Sequence, residues 1–435
     1  MLTYQIITFG CQMNHSDSER LAAYLEKNNL VKVDDKFKAD ILIITTCGIR
    51  QSAEDRVYSL VHQIKKKHPQ AIVVITGCLS ERKDVRSRIK DKVDLWLPII
   101  EMTSLLERIE NPTITETNKY LDSKEYLSVL PKHESSFRAY VPIGNGCNNF
   151  CSYCVVPYAR GREKYRSASQ IVSEVKQLIK KGYKEVTLIA QNVNSYHSGP
   201  VDFTELLTKI NAIPGDFWIR FVSSHPKDIS SKLINALGKL PKVCEHVHFA
   251  LQSGDDEILR QMNRRYTAQH FHDLVQKIRT AVKKYKPEWP VAITTDVIVG
   301  FPGETKKQFL ETAKVFRSVK FDMAYISQYS PRYGTVSYQM TDDVTRLEKK
   351  RRENVLAKIL SQTASFNNKY YLKKTVAVLV DGKNRQGEWY GKTRTYKLVR
   401  IMGAPANNLL GSFVLVKINK VRDLALEGKI IAQYE

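Results

Sequence analysis

Near the N-terminus three apolar runs rich in β-branched residues, at positions 4–9, 41–46 and 72–76, break off at Gly10-Cys11, at Cys47 and at Gly77-Cys78. Each is followed by a polar stretch of helical character, at 16–28, 53–67 and 81–89. Strand and helix alternating at this spacing predict βαβ units and a parallel sheet. The carboxyl ends of all strands in such a sheet lie along one edge, where ligands bind. Three cysteines far apart in the chain are thereby brought to one edge. Singly, each would more often be a buried core residue. Together, at one topological position, Cys11, Cys47 and Cys78 read as a three-thiolate cluster site. Ser16-Asp17-Ser18-Glu19 supplies the residue types of a helix N-cap and acidic first turn. Asn14 and His15, beside Cys11, either support that site or satisfy the local backbone. Residues 93–97 and a helix over 101–109 close the unit.

From position 140 the alternation resumes, with strands predicted at 140–143, 185–190, 218–222, 246–251, 292–299 and 323–328. Helices fall between them at 169–181, 203–210, 232–240, 255–262, 268–285 and 306–319. Six β/α repeats are too few for a closed eight-fold barrel, so the pattern predicts an open, partial barrel; a doubly wound sheet is the alternative. Either way the strand ends gather Cys147, Gln191 with Asn192, Ser223 with Ser224, Gln252 with Ser253, and Gly300. After a charged helix over 342–365 the pattern changes near Lys369 to short strands at 375–380, 388–394, 396–399 and 411–417, which predict a small all-β barrel. The fold class is therefore α/β, with a parallel-sheet unit over 1–125, a partial (β/α)6 barrel over 133–368 and a small β-barrel over 369–435. A polar segment over 111–134, bearing Pro112 and Pro131, joins the first two.

Charge changes the picture most. Sixty-eight Lys and Arg against 45 Asp and Glu give a net charge of +23, which predicts a polyanionic partner, nucleic acid first. In the tail, Lys373, Lys374, Lys383, Arg385, Lys392, Arg394, Lys397 and Arg400 crowd around Trp389, Tyr390 and Tyr396. Basic residues interleaved with aromatics suit an RNA surface, and Lys392, Arg394, Lys397 and Arg400 are its candidate contacts; a solvated basic face is the plain alternative. The longest apolar runs are strand-length and no charged, apolar, small-residue leader opens the chain, so a cytoplasmic protein without a membrane association is expected.

The densest chemistry lies in Cys147-Asn-Asn-Phe-Cys-Ser-Tyr-Cys154. Three thiolates at C-x3-C-x2-C converge on one point but leave one corner of a four-ligand site open, which suits a 4Fe-4S cluster whose fourth iron is free to bind a reactant. The spacing demands a tight loop, and Gly144, Asn145, Gly146, Asn148 and Asn149 tolerate such turns. Cys244 has no partner pattern and reads as core. His246 and His248 alternate on one strand, which by itself is not a metal site.

These residues together resemble the methylthiotransferases of the radical S-adenosylmethionine (SAM) superfamily. The resemblance is carried by Gly146-Cys-Asn-Asn-Phe-Cys-Ser-Tyr-Cys-Val-Val-Pro-Tyr-Ala-Arg-Gly-Arg162, with Gly10-Cys-Gln-Met-Asn14, Thr46-Cys-Gly-Ile-Arg50, Gly77-Cys78, Gln191-Asn-Val-Asn-Ser-Tyr196, Leu251-Gln-Ser-Gly254 and Thr295-Asp-Val-Ile-Val-Gly-Phe-Pro-Gly-Glu304. The tail looks like an RNA-binding TRAM domain, notably at Gly391-Lys-Thr-Arg-Thr395. Cys-Gln-Met-Asn after the first strand looks like the branch acting on a prenylated adenosine beside the anticodon of tRNA. One departure is Tyr333, where the family usually has proline, which implies a less rigid loop. The resemblance implies two 4Fe-4S clusters, one on Cys147, Cys151 and Cys154 that binds and cleaves SAM, the other on Cys11, Cys47 and Cys78 that holds a sulfur to be methylated and transferred to adenine C2. It implies SAM contacts from Tyr153, Gln191 and Asn192, with Tyr153 packed beside the SAM adenine. It further implies a tRNA substrate and a low-potential electron donor such as flavodoxin or ferredoxin, and the chain is expected to act as a monomer. Two other readings share the features: the same reaction on threonylcarbamoyl-adenosine, and a non-catalytic, metal-holding RNA-binding protein. If both clusters serve one reaction, the two cysteine triads must face each other across the domain boundary.

Overall fold

The computed structural model describes residues 1–48, 51–111, 123–403 and 408–433. Ile49 and Arg50 of the second cysteine motif, and Pro112 with most of the polar joining segment, lie outside the described residues. In the N-terminal unit five parallel strands run in the spatial order Val31–Lys32, Thr3–Thr8, Ile41–Thr46, Ile72–Gly77, Leu95–Leu97. Leu42, Ile44, Val73 and Ile75 pack on Val57, Val61 and Ile64 of the helix Gln51–Lys67. Ile41, Ile43 and Val74 point the other way, onto Leu21 and Leu25 of the helix Gln12–Lys27. Helices on both faces explain why these strands read as unbroken apolar runs.

Two expectations for this unit are corrected. The first helix starts at Gln12 with Cys11 at its N-cap, so Ser16-Asp17-Ser18-Glu19 lies inside the helix, buried, rather than at its start. Those polar side chains face the next domain, and the pattern of a cap was a pattern of interdomain contacts. The joining segment is also more than a connection. It carries the helix Ser123–Ser128, whose Tyr126 and Leu127 are buried in the N-terminal core.

The middle strands, Arg138–Pro142, Glu185–Ile189, Trp218–Phe221, His246–His248, Ala292–Val299 and Met323–Gln328, are all parallel and neighbour one another in chain order. Single parallel bridges, Ile219 to Val243 and Ser224 to Phe249, link the third strand to the fourth. An order without reversal is that of the open, partial barrel and not of a doubly wound sheet.

The tail closes into a five-stranded barrel of Thr375–Lys383, Trp389–Thr393, Leu398–Ile401, Phe413–Val421 and Ala425–Gln433. It docks under the barrel, on the strand starts. Arg138 pairs with Asp381 at 2.6 Å, Arg394 with Glu245 at 2.8 Å and Lys397 with Asp322 at 2.6 Å, while Arg220 donates to the carbonyls of Thr393 and Arg394. Phe137, Trp218, Cys244, Leu379 and Phe413 form the apolar centre of this contact, so Cys244 is a core residue. Floor and mouth of the barrel are thereby separated: the tail occupies one, the cysteines the other.

Candidate functional site

Backbone register assembles the first triad. Thr8 pairs with Thr45 and Thr46 with Gly77, so the three strands end side by side and release Cys11, Cys47 and Cys78 at one edge. Asn14 ties the ends together, its amide donating to Phe9 O and Thr46 O at 2.8 Å each. Thr46 Oγ1 donates to Thr76 O at 2.5 Å and accepts from Leu79 N at 3.1 Å. Cys11 caps a helix N-terminus, where the peptide dipoles favour a thiolate. Desolvation nevertheless pushes its thiol up, although the side chain touches solvent; Arg160 and the amides of Asn14 and Met13 pull the other way.

The second triad sits in a loop at the mouth of the barrel. Gly146 adopts φ +86°, and a Cβ there would overlap the carbonyl of Arg162. Past it, the residue in the left-handed region is Phe150, at φ +46°, not Asn148 or Asn149. Those asparagines act through side chains: Asn149 Nδ2 donates to Cys147 Sγ at 3.5 Å, and Asn148 exchanges hydrogen bonds with Glu163. Asn263 clamps the carbonyls of Asn149 and Phe150, and Arg264 Nη1 reaches Cys151 Sγ at 3.5 Å. Burial pushes the Cys147 and Cys154 thiols up, Cys154 with added contributions from Cys151, Cys147 and, across the domain boundary, Cys78.

The triads face each other. Gly48, next to Cys47, has room for no side chain, because a Cβ there would meet Val155 Cγ2 at 2.9 Å and Cys78 Cβ at 3.1 Å. Val155 is the residue after Cys154. Arg160, further along that loop, donates to Asn14 Oδ1 at 3.1 Å and Asp17 Oδ2 at 2.6 Å. All seven cysteines are free thiols. Among the described residues no three His, Cys, Asp or Glu side chains converge closely enough for a single metal ion. That spread fits a cube-shaped cluster, whose cysteines bind different irons, and N–H donors to sulfur are what such clusters use.

A polar small molecule also fits beside the second triad. Asn192 Oδ1, Ser224 Oγ and Gln252 Oε1, on three successive strand ends, and Ser152 Oγ in the cysteine loop are buried without a hydrogen-bond partner. Ser223 and Gln252 hold φ +68° and +66°, strain of the kind found at ligand sites. Orphaned polar atoms lining one mouth match a ligand as polar as SAM. Of the expected contacts, Gln191 Oε1 accepts from Gly146 N at 2.7 Å and so holds the cysteine loop. Asn192 donates to Asp228 at 2.7 Å and leaves its oxygen free. Tyr153 packs on Phe301, Ile258 and Met262.

The expected RNA contacts divide. Arg394 and Lys397 are corrected: their charges are consumed by Glu245 and Asp322 at the barrel floor, where phosphate has no access. Lys392, resting on Tyr396, and Arg400, at 44% exposure, remain accessible. The residues missed were the arginines, Arg160, Arg264 and Arg332. Arg160 stood inside the quoted motif, whereas Arg264 and Arg332 carried no local signal.

Residues 3–98 match a family described as uncharacterized protein family UPF0004, residues 141–316 the radical SAM superfamily and residues 369–431 the TRAM domain. The chain is 40% identical over 442 residues to the tRNA-2-methylthio-N(6)-dimethylallyladenosine synthase of Clostridium novyi, covering 98% of this chain and 96% of that one. A protein of the same name from Thermoanaerobacter sp. is 40% identical over 445 residues, covering 99% and 93%. Among solved structures, the radical S-adenosylmethionine methyltransferase TsrM from Kitasatospora setae superposes with a TM-score of 0.52 at 14% identity, over 75% of this chain and 72% of that one. The cobalamin-dependent S-adenosylmethionine radical enzyme OxsB gives 0.52 at 10% identity, over 82% and 56%. These two likenesses are of fold alone.

Proposed function

We propose the reaction from one premise: the chain belongs to the family of tRNA-2-methylthio-N(6)-dimethylallyladenosine synthases, radical SAM methylthiotransferases. It methylthiolates C2 of the adenine in N6-dimethylallyladenosine of tRNA. When bound, two 4Fe-4S clusters and SAM supply the sulfur, the methyl group and the hydrogen-abstracting radical that an unreactive aromatic C–H demands. In this reading residues 1–125 hold one cluster through Cys11, Cys47 and Cys78, residues 133–368 hold the other through Cys147, Cys151 and Cys154, and residues 369–435 grip RNA.

The protein's own groups bind, orient and exclude water. Gln191 and Asn263 fix the cysteine loop, and Asn192, Ser224 and Gln252 offer their free oxygens to SAM. Tyr153 packs beside the SAM adenine, and Lys392 and Arg400 meet phosphate. The observation that carries the reading is the facing of the two triads, with Val155 against Gly48 and Cys78 acting on Cys154. One cavity served by two open-cornered sites suits a reaction that needs a radical and a sulfur on one carbon. No helix among the described residues is long and apolar enough to cross a membrane. A cytoplasmic monomer, reduced by a flavodoxin or ferredoxin, completes the proposal.

The test is anaerobic reconstitution followed by nucleoside mass spectrometry of dimethylallyl-modified tRNA. The expected product is the 2-methylthio nucleoside. Methylthiolation confined to threonylcarbamoyl-adenosine tRNA, or bound metal without SAM turnover, contradicts the proposal.

A further inference from the structure

We propose that Arg160 and Arg332, two barrel side chains that cross the domain boundary, are positioning residues for the N-terminal cluster and set its reduction potential separately from that of the barrel cluster. The proposal rests on the reading that both triads carry clusters. Arg160 reaches the first triad through Asn14: the Cys11 thiol donates to Asn14 Oδ1 at 3.7 Å, and the same oxygen accepts from Arg160 Nη2 at 3.1 Å. Its other Nη donates to Asn145 Oδ1 at 3.0 Å, which orients the fork. Arg332 enters from the opposite flank, donating to Gln51 Oε1 at 2.9 Å and Glu54 Oε2 at 3.0 Å at the start of the helix that follows Cys47. Both arginines are less than a twentieth exposed.

The charge balance around Arg160 is incomplete. Arg160 pairs with Asp17 at 2.6 Å, while Arg166 and Arg20 share Glu174 at 2.6 Å and 3.7 Å. Three buried guanidiniums thus face two buried carboxylates. A buried surplus cation is costly unless an anion completes it. Thiolates carrying a cluster are that anion, and Cys78 and Cys11 are the sulfurs whose charge acts on Arg160. On the other flank Cys47 acts on Arg332 in the same sense. The barrel triad has a different cation, Arg264 on Cys151. A cation beside a cluster favours its reduced, more negative state, so each arginine raises the potential of the cluster it adjoins.

The test is an EPR-monitored redox titration of the full, reconstituted chain, with the two signals assigned from variants retaining one triad each. Arg160→Gln and Arg332→Gln are expected to shift the N-terminal midpoint negative by more than the barrel midpoint, and Arg264→Gln to do the reverse. Arg160→Lys restores most of the wild-type value, because charge and not shape is the cause. Asp17→Asn, which frees Arg160, shifts the N-terminal midpoint positive and serves if Arg160→Gln fails to fold. An N-terminal midpoint that does not move, or equal shifts at both clusters, overturns the proposal. Uptake of about four irons instead of about eight by the wild type removes the two-cluster reading itself and is seen before any titration.

Discussion

Gly77 shows how much of the site rests on one missing side chain. It sits at φ +85°, and a Cβ there would press on the backbone N and O of Thr46, on the strand that delivers Cys47. Gly77→Ala is expected to cost about 1–3 kcal/mol, since a positive φ is strained for alanine before any overlap is counted. A lowered urea midpoint, with iron lost selectively from the N-terminal triad, is the expected outcome; an unchanged midpoint contradicts it. Histidines give a pH signature. Burial, then Arg264 and Lys227, push His225 down to about 2, and burial, then Arg220, lowers His246. Their folded values lie below the ordinary 6.5, so on acidification the unfolded chain takes up protons that the folded chain refuses. This stability is present above about pH 6.5 and is lost as pH falls, by up to about 1.4 kcal/mol per unit for each histidine. Urea titrations at about pH 7.5 and pH 5.5 read the loss, and His225→Gln should shrink it.

The tail barrel was expected to be an RNA surface and is also a plug. Removing Arg394 strands Glu245, which is 3% exposed, with only Lys286 near it. Breaking a buried pair by deleting one partner costs about 3–5 kcal/mol. Arg394→Ala should therefore lower the melting temperature, while Arg400→Ala should weaken tRNA binding and leave melting unchanged. Reduced tRNA affinity in Arg394→Ala without a thermal shift would restore its role as an RNA contact. The sequence made most elements legible because their burial is periodic: all six barrel strands and the three cysteine-bearing strand ends follow from runs of Val, Ile and Thr. The strand Ala425–Gln433 was missed because it opens Ala-Leu-Glu-Gly-Lys, helix-forming types around a glycine; Gly428 is needed there because a Cβ would strike the carbonyl of Lys417. Polar residues misled for a related reason. Ser16–Glu19 and Arg394 look like solvent-facing chemistry in one dimension, and only the packing of a second domain reveals that their partners are buried.

The molecule as a whole is three units stacked along one axis of chemistry: a sheet edge with three thiols, a barrel mouth with three more, and a basic barrel beneath the floor. Its net charge of +23 implies tRNA affinity that falls steeply with salt, and Arg400→Ala should reduce the slope of log K against log salt by about one. Cysteine variants should divide the labour between the units. Cys47→Ala abolishes methylthiolation and leaves SAM cleavage to deoxyadenosine, whereas Cys151→Ala abolishes both; deoxyadenosine from Cys151→Ala would refute the division. The central claim is that two clusters held by different domains share one cavity. EPR of the fully reduced, reconstituted chain tests it most directly, against the summed spectra of variants with either triad replaced by alanine. Facing clusters predict a broadened, spin-coupled spectrum that the sum does not reproduce; a spectrum equal to that sum contradicts the account.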